Sequence, residues 1–497
     1  MTSSILLQGG TVLYHDDENY VTALKDTDVL VTGNLIAKIA KGIEVPEGAI
    51  VIDCKGKIVS PGFIDTHHHL WQTQLKGRHM DETLLEYMVA GTVASLFPDD
   101  GQNTDFGTAQ EICRVTTSPP PEDMFWGQLA GCLEAIDAGT TNPMPIRNHH
   151  LRPPLHLRLC HPRVPLTTWT STAIVPSSDI LPSWSLDHLE SLAKSQPHAN
   201  GRLTIGLGFD FYFLPQEVVI GIFDRFRKAG VKVITSHVGK NDVFGEASTV
   251  EILETYGLLG PDLVLSHATN LTPAEHAILH KSNVHVSSTP SSEAQTALGW
   301  PVVLRSDVHG SLGVDCHAFC GSSILSEART ALLLARQETN AALLDKGEFP
   351  QKLVGGAREA FNLATVGCAR AVGMGDKIGR IREGYLADLV VVDGRSPGMV
   401  GVSGWDPVVA VVGHSGVRDV ETVIVDGVVR KRGGKLVGVE VEEGRMEWGG
   451  VAERVERVER SREEVQRRIE GVDFEKAREL VVGMWHVDES KIKAIEY

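Results

Sequence analysis

Three consecutive histidines, His67-His68-His69, close the run Pro61-Gly62-Phe63-Ile64-Asp65-Thr66. Pro61-Gly62 punctuates the entry, and Phe63-Ile64 reads as strand. Successive side chains on a strand alternate between faces, so His67 and His69 share a face and His68 points away. Two imidazoles on one face at a strand end can grip one divalent cation. His-x-His alone is a weak signal. Further ligand-type residues stand at the ends of other apolar runs. His237 follows Val233-Ile234-Thr235-Ser236, His267 follows Val264-Leu265-Ser266, and Asp315 follows Ser311-Leu312-Gly313-Val314. Imidazoles and a carboxylate at successive strand ends suit Zn²⁺, Fe²⁺ or Mn²⁺, with zinc first for an imidazole-rich set.

The elements that must position these residues have two textures. Residues 1–59 read as short strands with turn chemistry, such as Ile5-Leu6-Leu7 and Ala49-Ile50-Val51-Ile52-Asp53. From 60 to 376 strand-like and helix-like runs alternate. Helical stretches include Pro215 to Ala229, with Val218, Val219, Ile222, Phe223 and Phe226 on one face. Another is Pro273 to His280, opened by a Thr272–Glu275 capping box. Such alternation predicts an α/β fold, a (β/α)₈ TIM-like barrel with active groups at the C-terminal ends of its strands. Strand texture returns over 377–438, and the economical topology is a flanking β-sandwich built from both chain ends. The charged tail, 439–497, reads as an exposed surface helix centred on Val451 to Arg460. Residues 142–175 fit nothing: Asn142 to Thr172 contains no Asp, Glu, Gly or Lys, and its prolines should break both strand and helix. The working hypothesis is a displaced reading frame or retained intron there, with sense resuming near Ser177. A transcript with an unbroken frame encoding the same residues would refute it.

The chain has 497 residues, 42% hydrophobic and 22% charged, with a net charge of −17. This is an ordinary globular composition, and the acidic balance argues against nucleic acid or an anionic membrane as partner. No apolar run reaches transmembrane length, and the first ten residues lack a secretory pattern. Seven cysteines without paired spacing make no disulfide framework, so a cytoplasmic setting is expected. A small-molecule substrate is the expected partner, and a homo-oligomer stays open.

The motifs Pro61 to His69, Ala138-Gly139-Thr140-Thr141, Ser236-His237-Val238-Gly239, Leu265-Ser266-His267, Leu312-Gly313-Val314-Asp315 and Gly384 to Val392 together resemble the amidohydrolase superfamily. Within it the chain looks like the branch of chlorohydrolases and cytosine-, guanine- and adenosine-type deaminases. The resemblance implies one divalent metal held by His67, His69, His237 and Asp315, with His267 and Asp315 as catalytic residues. It implies hydrolysis of non-peptide C–N bonds in a small cyclic substrate by metal-activated water. The alternatives are a carbon–halogen or ester bond at the same metal, or an inactive chain if 142–175 is aberrant.

Other residues are assigned more loosely. Trp71, Gln72 and Gln74 could line a flat apolar pocket, and His317 and Lys240 could touch substrate. Arg78 stands where the branch often has an arginine. Cys316 lacks a base to make it a nucleophile. Two further departures are Asn270 and Ser288, where the branch often has histidines. Lys240 stands where ring deaminases of this branch usually carry a proton-shuttling glutamate, and a lysine at its ordinary pKa is no base. General acid–base groups contribute about 10²–10⁴-fold. Weak or no turnover of cytosine, guanine or adenosine-type rings is therefore expected, with Lys240→Glu raising any trace of it. Robust wild-type turnover of such a ring, unchanged or lowered in Lys240→Glu, would show that the shuttle is supplied elsewhere.

Overall fold

Two sheets divide the strands according to their sequence texture. The computed structural model describes residues 4–91, 121–148, 168–173, 183–198, 201–244, 248–438, 451–469 and 474–495. In chain order the strands are Ser4–His15 (β1), Val21–Thr32 (β2), Leu35–Ala40 (β3), Ile50–Asp53 (β4), Ile58–Pro61 (β5), Phe63–His69 (β6), Thr140–Asn148 (β7), Thr168–Ala173 (β8) and Leu203–Gly208 (β9). They continue with Ile234–Gly239 (β10), Leu263–Thr269 (β11), His285–Ser288 (β12), His309–Leu312 (β13), Asp315–Cys316 (β14), Leu389–Val392 (β15), Val420–Val425 (β16), Val428–Arg432 (β17) and Lys435–Leu436 (β18).

The central sheet is parallel, in the order β13-β12-β11-β10-β9-β8-β7-β6-β14. β6 and β11 are buried at every position, as strands covered on both faces must be. The two ends of that order, β13 and β14, are separated in the chain only by Gly313-Val314. Gly313 is required there, because a Cβ would lie 2.7 Å from the His67 carbonyl oxygen. Helix Gln216–Lys228 links β9 to β10 and buries Val219, Ile222, Phe223 and Phe226. Val218, expected on the same face, is 38% exposed and lies at its edge. The Thr272–Glu275 capping box opens helix Pro273–Lys281 with both of its hydrogen bonds made.

Both chain ends build the second sheet, in the order β18-β17-β16-β15-β5-β1-β2-β3, with β4 also on β1. The antiparallel β5–β15 ladder joins the two ends, with Leu389 opposite Pro61 and Val391 opposite Val59. Ile5, Leu7, Val29, Ile36, Leu389, Val391 and Ile424 form its core.

Two expectations are corrected. The proline-rich stretch forms strand at both ends: β7 pairs with β6 and β8, and β8 pairs with β9. Pro143 and Pro145 lie opposite Asp65 and His68 with a register shift between them. Proline withholds a donor but fits an extended φ, so the ladder is interrupted rather than abolished. Residues 149–167 and the 174–182 stretch where sense was expected to resume lie outside the described residues.

The charged tail is not a free surface helix. Helix Val451–Ile469 buries Ser461 and Val465, and Val465 packs with Trp71, Leu75, Cys316 and Phe319. Arg462 donates to the Lys76 carbonyl at 2.6 Å, and Arg78 donates to Gln466 at 2.6 Å. Helix Phe474–Met484 buries Ala477 and Val481. The Asp488 N–H reaches the Val243 carbonyl at 2.8 Å. A narrow apolar stripe among many charges was enough to dock the tail.

Candidate metal centre

The C-terminal ends of β6, β10 and β11, with β14, bring the predicted residues together. His67 Nε2 lies 3.0 Å from Asp315 Oδ1, and His69 Nε2 lies 3.2 Å from the same oxygen. His237 Nε2 faces His69 Nε2 at 3.4 Å. Ligand-type atoms of His67, His69 and His237 all lie within 4.8 Å of one another, as do those of His67, His267 and Asp315. His68 turns away, with Nδ1 2.7 Å from Asp65 and its ring 4.6 Å from that of His317.

Neighbouring groups fix how these rings present their nitrogens. Asp210, just past β9, accepts from the His237 N–H at 2.8 Å and lies 2.9 Å from His237 Nδ1. A carboxylate at Nδ1 places the proton there and leaves the Nε2 lone pair facing inward. Ser266 Oγ stands 2.5 Å from His67 Nδ1. Asp65 accepts from the His67 N–H at 3.1 Å and the Val314 N–H at 3.3 Å, tying β6 to the segment that carries Asp315. His267 and Asp315 both sit at φ 68°, a left-handed backbone that re-aims each side chain at its strand end.

The electrostatics of His67 and Asp315 suit a cation, whereas at His237 burial is outweighed by Asp210, which raises that imidazole. Burial holds His67 well below its ordinary pKa, against the pull of Asp315, so its imidazole is neutral as a ligand must be. Burial works against ionisation of Asp315. The contacts with His67 and His69 outweigh it and hold the carboxyl well below the usual range. Nitrogen atoms facing one another at 3.4 Å beside a carboxylate oxygen form a donor set that a zinc-type ion would satisfy.

The remaining predicted residues are placed differently. Trp71 is 4% exposed and belongs to the apolar wall that includes Val465. Gln74 donates to Ser461 Oγ at 3.3 Å, and Gln72 donates to Tyr87 Oη at 2.8 Å. His317 is buried, with Nδ1 3.2 Å from Thr73 Oγ1 and Nε2 against Ser322 Oγ, so both ring nitrogens serve the framework. The Lys240 ammonium lies 3.5 Å from Glu275. Cys316 Sγ is within 3.4 Å of Asp315 and 3.2 Å of Tyr87 Oη. Burial, then the charge of Asp315, pushes this thiol well up, which fits the absence of a nucleophilic role.

Sequence reasoning missed Asp210, Glu293 and Ser266. Asp210 had a usable signal: it follows the β9 run by two residues, at the same end of the sheet as the histidines.

A parallel sheet that gathers imidazoles and a carboxylate at its strand C-termini is the arrangement of a metal-dependent hydrolase of the TIM-barrel type. Residues 228–430 match the model of the Amidohydrolase family. A 5-methylthioadenosine/S-adenosylhomocysteine deaminase of Thermococcus sibiricus is 27% identical over 86% of this chain and 93% of its own length. A 5'-deoxyadenosine deaminase of Methanocaldococcus jannaschii is 27% identical over 84% of this chain and 94% of its own. Among solved structures, an adenosine deaminase from Xanthomonas campestris with bound zinc superposes with a TM-score of 0.73 at 19% identity, covering 93% of this chain and 99% of that one. Atrazine chlorohydrolase TrzN from Arthrobacter aurescens TC1, complexed with zinc, gives a TM-score of 0.73 at 18% identity over 92% and 100%. The chain is thus similar to amidohydrolases named as deaminases, and in fold to a chlorohydrolase.

Asp210→Asn is expected to weaken zinc binding by roughly 10–100-fold, the usual cost of losing an outer-shell carboxylate. Competition with a chromogenic chelator measures it. Unchanged affinity would mean that Asp210 does not set the His237 tautomer.

Proposed function

We propose that His67, His69, His237 and Asp315 hold one divalent ion, zinc first, and that Asp315 and His267 act on a small cyclic substrate beside it. The chain is a hydrolase of C–N bonds other than peptide bonds. The observation that supports the residue assignment is that ligand atoms of His67, His69 and His237 lie within 4.8 Å of one another, with Asp315 Oδ1 3.0 Å from His67 and 3.2 Å from His69. The relatives named as deaminases support release of ammonia or an amine as the reaction.

A zinc-type ion at this set would lower the pKa of a bound water towards about 7. The residues of the chain then divide the work. Asp210 and Ser266 orient His237 and His67 through their Nδ1 atoms. The Asp315 carboxylate, ionised in the fold, accepts the proton of the attacking water and returns it to the departing nitrogen. His267 stands beside the attacking water and accepts from it through Nε2. Water supplies the oxygen of the product, and the amine leaves with the proton. Trp71 and its apolar neighbours exclude water from one side. On this reading Gln74 and His317 support that wall, and Lys240 borders the mouth.

The same reading divides the chain at 1–59, 60–376, 377–438 and 439–497. It closes the parallel sheet into an eight-stranded barrel whose last strand runs from β13 into β14, and folds the second sheet into a sandwich. A second reading, loss of a halide or alkoxide at the same centre, is favoured by Lys240, since a good leaving group needs no ring protonation.

The test is a purified sample, analysed for metal and screened for ammonia release against purines, pyrimidines, pterins and triazines. About one ion per chain is expected, with ammonia from at least one ring and an Asp315→Asn variant slowed by about 10²–10⁴-fold. Two tightly held ions per chain would refute the mononuclear set. Wild-type rates in Asp315→Asn would remove Asp315 from the mechanism. Halide release without ammonia would select the second reading.

A further inference from the structure

Thr289 occupies the N-cap of helix Pro290–Gln295, yet its side chain makes no capping hydrogen bond. A threonine at this position ordinarily accepts from a backbone N–H one turn on. Its hydroxyl instead lies 2.9 Å from His267 Nδ1. The residue that controls this diversion is Glu293. Its Oε1 accepts from the Thr289 backbone N–H at 2.8 Å and lies 3.5 Å from His267 Nδ1. Glu293 is fully buried, and its Oε2 has no hydrogen-bond partner among the described residues. A buried carboxylate without full partners is costly unless a nearby group gains from it. The helix that carries Glu293 is clamped in turn. Glu327, also buried, accepts from the Ser291 N–H at 2.9 Å and from Ser291 Oγ at 2.6 Å.

We propose that Glu293 is a positioning residue: with Thr289 it holds His267 in the Nδ1–H tautomer, so that Nε2 presents a lone pair to the reacting groups. The chemistry is an either-or choice. A threonine hydroxyl can donate to Nδ1 or accept from it. Left alone with His267 it permits both tautomers, and one of them turns Nε2 into a donor. A carboxylate beside the same nitrogen accepts only when ionised, and so selects the Nδ1–H form. Asp210 does the same for His237 across the site. The left-handed backbone at His267 and at Ala268 aims the ring, and the Thr289–Glu293 pair sets its hydrogen. The catalytic meaning rests on the functional reading above, whereas the tautomer does not.

The experiment uses the zinc-loaded full chain with ¹⁵N-labelled histidine. Two-bond ¹H–¹⁵N spectra report each ring's tautomer, and the His267 signal is assigned by its loss in His267→Gln. An Nδ1–H pattern is expected for the wild type. In Glu293→Gln it should shift towards Nε2–H with zinc content unchanged. On whichever ring the wild type turns over, kcat should fall roughly 10–100-fold with KM within about 2-fold, and Glu293→Asp should restore much of it. Thr289→Ala, which keeps the carboxylate, should retain Nδ1–H and decides the question if Glu293→Gln does not fold. An Nε2–H wild type, an unchanged tautomer in Glu293→Gln, or loss of Nδ1–H in Thr289→Ala would each overturn the proposal. A wild type that hydrolyses nothing would defeat the functional reading and leave the tautomer measurement to decide this one.

Discussion

The parallel sheet answers to one electrostatic problem: imidazoles and carboxylates converge in a largely buried site, with only the His237–Asp210 side a third exposed. His67 and Asp65 are fully buried, and His69 and Asp315 are nearly so. Polar groups in such a place are costly unless each atom finds a partner. The outward nitrogens of His67 and His237 find Ser266 and Asp210. The inward atoms face one another, and a divalent cation is a partner that all of them can ligate at once. The fold supplies rigidity for this because the residues come from strand ends rather than from free loops.

Backbone strain is present at the same place. His267, Ala268 and Asp315 all have left-handed φ angles without being glycine. Each such residue costs on the order of 1–3 kcal/mol and persists only where the surroundings over-determine it. Here the surroundings are visible. Asp65 holds the Val314 N–H immediately before Asp315, and Thr289 with Glu293 holds the ring of His267. Close packing removes alternatives: Gly313 sits where any side chain would meet the backbone of His67. Strand register, a glycine and a few buried carboxylates therefore act on one short stretch of chain.

The imidazole set was legible in the sequence because it follows strand periodicity. A residue at the end of an apolar run in a parallel α/β fold lies at the ligand-binding face, whatever the strand. The carboxylates behind the rings were not legible in the same way. Glu293 lies on a short helix, and nothing local separates it from a solvent-facing glutamate. Its burial is a property of the packing of helices Pro290–Gln295 and Ile324–Leu344. The tail misled for the opposite reason: its charge dominates the pattern, while Ser461 and Val465, one helical turn apart, do the docking. Pro143 and Pro145 argued against a strand that exists, because a parallel ladder tolerates a missing donor where its register already shifts.

Lys240 belongs to this same logic. The segment after β10 is gripped from two sides. Asn270 donates to the Lys240 carbonyl at 2.8 Å, while Asp488 and Lys491 of the tail bond the carbonyls of Val243 and Asp242. The Lys240 ammonium meets Glu275, whose carboxyl is brought down to about 2: burial opposes ionisation, and the hydrogen bonds of Ser248 and Thr272 outweigh it. Glu275 is therefore ionised throughout the physiological range. The pair is half exposed on the lysine side and contributes little on its own, about 0–1 kcal/mol. Its consequence is in orientation. A lysine at 240 is drawn to Glu275 at the head of helix Pro273–Lys281, whereas a glutamate there would be repelled from that position by a like charge. The residue type at 240 thus decides which way its side chain turns, and the lysine found here turns to the framework.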